Sequence, residues 1–125
     1  MKEDSHTHTQ DIGLDIPIFA KLYEFYKILS WHIGNFPKIK RYTLGQKLDS
    51  LSLEMFELLF SVGQTENRLA VLQQISAKLD LTKVLLRLAK DTQALDNKKY
   101  LDLQTMLYEI EKMLGGWIRA SKKIE

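Results

Sequence analysis

Long segments of this chain place apolar residues at every third or fourth position. That period matches the 3.6-residue turn of an α-helix and not the two-residue repeat of a strand. From Pro17 the series is Ile18, Leu22, Phe25, Leu29 and Ile33. A second series runs through Leu44, Leu48, Leu51, Met55, Leu58, Leu59 and Val62, with Lys47, Ser50, Glu54, Glu57 and Ser61 on the opposite face. Another carries Leu103, Met106, Leu107, Ile110, Met113, Leu114 and Trp117. The spacing predicts helices over about 17–34, 43–62, 66–90 and 97–120. Punctuation agrees. Pro17 suits a first helical turn with Asp15 as its cap, and Gly34, tolerant of a left-handed cap, ends the first helix with Phe36-Pro37. Thr43 stands where a cap of the second helix belongs, Gly63 and Thr65 mark the next turn, and Asp91 to Asn97 interrupts the third pattern. Short connections between long helices imply an all-α, antiparallel up-down four-helix bundle over residues 16–121. Residues 1–15 are expected to be a disordered polar tail and 122–125 a short C-terminal one.

The third helix departs from the simple amphipathic case. At 100° per residue, Leu81, Val84, Leu85 and Leu88 make one apolar face and Leu72, Ile75, Leu79 and Leu86 another. One bundle core cannot bury both, so a partner surface is implied, and Leu72, Ile75, Leu79 and Leu86 are assigned to it. Lys83, Arg87 and Lys90 line up beside it at i, i+4 and i+7.

Several kinds of chemistry are excluded by what the chain lacks. It has no cysteine, so neither a disulfide framework nor a thiolate metal site is available. A di-iron bundle needs two inward E-x-x-H pairs, and His6, His8 and His32 supply none. Glu54 and Glu57 fall on the polar side of their helix, and His6-Thr7-His8 belongs to the tail. No G-x-S-x-G elbow or phosphate loop is present, and Gly115-Gly116, inside a helical pattern, reads as close helix packing. The reading is therefore no catalytic centre, no metal and no cofactor. No apolar run reaches the ~18 residues that span a bilayer, and MKEDSHTHTQD is too polar for a signal peptide, so a cytoplasmic location is expected.

Anion binding has to come from local arrangement, because the net charge is only +2. NFPKIKRYTLGQKL, residues 35–48, holds Lys38, Lys40, Arg41 and Lys47 and no acid. Lys83, Arg87 and Lys90 form a second cluster, and Arg119, Lys122 and Lys123 a third. In an antiparallel bundle the first cluster shares an end with Lys98 and Lys99, and the third lies at the other end. A single basic cluster is ordinarily a solvated face. Tyr42 has two readings, a stacking platform for a base or a ring packed on the bundle end.

FPKIKRYTLGQKLDSLSLEMFELL, then LDLTKVLLRLAKD, then EIEKMLGGWIRAS, together resemble the accessory variability determinant (Avd) family of diversity-generating retroelements, over roughly Ile18 to Ser121. A sister family encoded in 23S rRNA intervening sequences shares the F-P and the tyrosine, but LEMFELLFSVGQ departs from its second-helix end. The resemblance implies a four-helix protomer assembling into a homopentameric barrel. It also implies a non-catalytic partner of the element's reverse transcriptase, one that binds template RNA and DNA and supports mutagenic cDNA synthesis. Lys83 and Arg87 match the family's third-helix motif and Arg119 follows its G-G-W-I, which makes these the basic residues favoured for contact. The competing reading is a homo-oligomeric adaptor of the intervening-sequence type.

Overall fold

A computed structural model describes residues 16–124. Asp15, His6, His8 and the rest of the expected tail lie outside the described residues, as does Glu125. Among the described residues there are four helices and no strand. Helix α1 is Pro17–Gly34. Helix α2 is built from Lys38–Lys40, a π-helical turn Arg41–Gly45, and Gln46–Val62. Helix α3 is Arg68–Asp91 and α4 is Asn97–Ile124. Each helix packs on the next, and α1 packs on α4 to close the bundle.

Cross-helix pairs show the directions. Phe19 meets Phe56 and Tyr26 meets Asp49, so α1 and α2 run antiparallel. Glu54 pairs with Lys78, Lys83 with Glu111, and Lys21 with Glu109. Leu22, Phe25, Leu29, Leu48, Met55, Leu103, Leu107 and Leu114 fill the middle at 1% exposure or less. These are the apolar stripes of the sequence turned inward. The buried hydroxyls of Ser52 and Thr82 donate back to the carbonyls of Leu48 and Lys78, which removes the cost of leaving them unpaired.

Three local features differ from expectation. Helix α2 starts directly after Pro37, not at Thr43, and the Thr43 hydroxyl donates to Ile39 O at 2.8 Å instead of capping. Pro37 stops α1 and its extended ψ of 146° turns the chain straight into a new helix. Among the described residues the left-handed one is Gln93, φ 67°, and none of the glycines has positive φ. Gln93 N–H donates to Lys90 O and Ala94 N–H to Ala89 O, the paired bonds of a Schellman ending for α3. Gly115 and Gly116 are not a helix-packing site: a Cβ at either would meet only the Arg119 guanidinium, at 3.6 and 3.9 Å.

The larger correction concerns α3. Leu72 and Leu86 are 0% exposed, and Ile75 and Leu79 1%, so the residues assigned to a partner surface belong to the chain's own core. With the buried Thr82 and Ala89 they form an unbroken series at spacings of three and four along the helix. The outward face is the other one, where Leu81, Val84 and Leu88 are exposed.

Candidate nucleic-acid interface

Charge partners divide the predicted cations into two groups. Lys83 Nζ donates to both Glu111 carboxylate oxygens at 3.0 and 3.1 Å, and Asp80 lies 3.6 Å away. The hydrogen bond to Glu111 holds the Lys83 ammonium above its ordinary pKa. Arg87 Nε is bonded to Asp91 at 3.2 Å. Lys90 approaches the same carboxylate at 3.8 Å and sits 5.2 Å over the Tyr100 ring. These three α3 cations are therefore each paired within the chain, across the α3–α4 seam and along α3 itself.

Lys38, Lys40, Arg41 and Lys47 behave differently. Among the described residues none has a carboxylate within ion-pair distance, and Lys38 and Lys47 are exposed. Arg41 is half-buried, with its guanidinium 5.8 Å from the Tyr42 ring. The fold carries these cations on the opening turns of α2. Phe36, 2% exposed, anchors the connection ahead of them, and Gly45, buried, closes the π turn between Arg41 and Lys47. A Cβ on Gly45 would stand 2.8 Å from Ile33 Cγ2, so glycine is what lets the end of α1 seat against this turn.

The structure brings this segment to the same end as the α3–α4 connection, where His32 lies in the field of Lys99, Asp96 and Asp102. Burial is the main reason His32 is pushed below its ordinary pKa. Lys98 and Lys99 are paired with Asp102 and Asp96. Arg119, Lys122 and Lys123 belong to the far end, near the start of α1 and the α2–α3 turn. The basic clusters thus do not merge on one protomer.

Two exposed side chains beside the opening turns lie outside every sequence-predicted site. Trp31 and Ile39 are the most exposed large apolar residues described, at 65% and 72%. The signal for Trp31 was its position two residues from both Leu29 and Ile33, off the buried stripe of α1. A separate aromatic groove of about 480 Å³ lies between α1 and α2, lined by Phe19, Tyr23, Tyr26, Lys27 and Phe56. Tyr26, which lines it, donates to Asp49 at 2.6 Å.

Among the described residues no cluster of His, Asp or Glu is suited to hold a metal ion. None of the helices described is long and apolar enough to cross a membrane. Comparison with curated proteins gives no match, and comparison with solved structures gives none. The family model described as bAvd-like matches residues 18–121. That span runs from Ile18, the first buried residue of α1, to Ser121 near the end of α4, and so takes in all four helices: the chain belongs to the bAvd-like family.

Proposed function

We propose that this chain is a non-catalytic accessory protein of a diversity-generating retroelement, working in the cytoplasm. In this reading it binds the element's reverse transcriptase together with template RNA or cDNA and supports mutagenic cDNA synthesis. Membership of the bAvd-like family supports the accessory role. One observation carries the nucleic-acid part: at the opening of α2, Lys38, Lys40, Arg41 and Lys47 have no carboxylate within ion-pair distance among the described residues, whereas Lys83, Arg87 and Lys90 are already paired. A phosphate reaching Lys83 has to displace Glu111 and Asp80, so the α2 cluster is the primary contact and α3 a secondary one.

Salt dependence of RNA binding tests this. Replacing Lys38, Lys40 and Lys47 together with Gln should lower the slope of log K against log salt by about 2, at ~0.7 per single-strand phosphate contact. Lys83→Gln should leave the slope nearly unchanged. The reverse ranking would return the contact to α3.

Assembly belongs to the same proposal. The outward stripe Leu81, Val84 and Leu88 and the α1–α2 groove are different patches on one protomer. A ridge-to-groove contact between copies is heterologous, and heterologous contacts that close generate rings. A ring of five is the order implied by the family resemblance. The same ridge would equally serve a homo-oligomeric adaptor with no retroelement role, and the RNA titration separates the two.

A further inference from the structure

Besides its cations, the α1–α2 end exposes rings. Trp31 and Ile39 are the two most exposed large apolar side chains, and Tyr42 follows at 60%, level with Val84 on α3. Three of these four flank a single connection, with Lys38, Lys40 and Arg41 interleaved. Single exposed apolar residues are ordinary on protein surfaces, but aromatic rings set among cations are the composition that holds a nucleic-acid strand.

The backbone beneath the rings is fixed. Asn35 Nδ2 donates to Trp31 O at 2.9 Å, and Asn35 N–H donates to His32 O. Thr43 Oγ1 donates to Ile39 O, and Phe36 is buried between the two helices. Trp31 stands edge-on to His32, ring centroids 5.6 Å apart, and the Arg41 guanidinium lies over one face of the Tyr42 ring at 5.8 Å, which leaves its other face to a base. Both rings are thus carried on ordered turns, one on each side of the connection, and neither is consumed by the core.

Resting on the nucleic-acid reading above, we infer that Trp31 and Tyr42 form a stacking platform and that the ligand of this end is single-stranded, with unpaired bases. A paired duplex keeps its base faces stacked inside and offers phosphates and groove edges, which would engage Lys38, Lys40 and Arg41 but give neither ring a base to stack on. An unpaired strand satisfies both sets at once, because every base has a π-face for the rings and a phosphate for the cations.

The test uses the whole protein and two labelled probes, an oligouridine and the same strand paired with oligoadenosine, by fluorescence anisotropy at fixed salt. The wild type should prefer the single strand. Trp31→Ala and Tyr42→Ala should each weaken single-strand binding roughly 5- to 100-fold, with little change for the duplex and no change in salt slope, because no cation is removed. Trp31→Phe should restore most of the affinity. Both positions are exposed, so thermal melts of the variants should overlay the wild type. Alanine variants that bind like wild type, or equal wild-type affinity for both probes, overturn the stacking platform while leaving the charge reading intact. A wild type that binds neither probe removes both. If it then docks a protein partner less well on Trp31→Ala, this end is a protein-docking surface and the inference is wrong.

Discussion

At Gly45 a hydrogen stands where any other residue would press a Cβ to 2.8 Å of Ile33 Cγ2 and 3.4 Å of Lys40 O. Ile33 is β-branched and wedged at the end of α1, so relief requires moving the helix junction and not a flexible tip. Gly115 is the opposite case, in the interior of α4 with only the far end of Arg119 within reach. The same substitution should therefore have opposite signs. Gly45→Ala is expected to destabilise by about 1–3 kcal/mol through overpacking. Gly115→Ala should stabilise by about 0.5–1 kcal/mol through helix propensity, both read from denaturant midpoints. In the R-Y-T-L-G run only Thr43 and Leu44 were legible as the start of a helix. Its π-helical winding was not, because it depends on Gly45 meeting α1, which local sequence does not encode.

Between elements, the seams are closed by lysine–carboxylate pairs, Lys78 with Glu54 across α2–α3 and Lys21 with Glu109 across α1–α4. In each the lysine hydrogen bond is the main cause holding the glutamate below its ordinary 4.5. A carboxylate depressed on folding adds stability that is fully present above its unfolded value and is lost as pH falls through the folded one. Glu54→Gln with Glu109→Gln should thus lower stability at pH 7 and flatten the decline below about pH 4.5, followed by denaturation at a series of pH values. An unchanged acid limb would mean that solvent screening leaves the pairs without effect. Lys83 carries the opposite sign. Its raised value makes a contribution that is present at neutral pH and lost as pH climbs through the folded value, above the ordinary 10.5. Part of this was readable, since Asp80 and Asp91 stand at i−3 of Lys83 and i+4 of Arg87. Glu111 was not, being 28 positions away and brought to Lys83 only by the rotation of α4.

For the whole molecule, the consequence of reassigning the faces of α3 is that the assembly test moves. Val84→Glu lies on the exposed ridge and should leave the protomer's melt within about 0.5 kcal/mol of wild type while light scattering reports a smaller species. Leu79→Glu, by contrast, places an unpaired charge in the core and should unfold the chain. A wild type that scatters as a monomer would remove the assembly proposal and leave Leu81, Val84 and Leu88 without an assigned role.

What the sequence determined by itself was the number and kind of elements, since periodicity and prolines act within a few residues and need no tertiary partner. The basic, acid-free opening of α2 was equally visible, because a missing carboxylate is a property of the string. The tertiary structure decided which apolar face of α3 is inside and which cations keep their charge unpaired. Both faces of that helix are apolar enough to be buried. The choice went to the stripe that continues through Thr82 and Ala89 along its full length and packs into the common core between α2 and α4. A hydroxyl that bonds its own helix can sit in such a stripe, and counting only large apolar residues hides it.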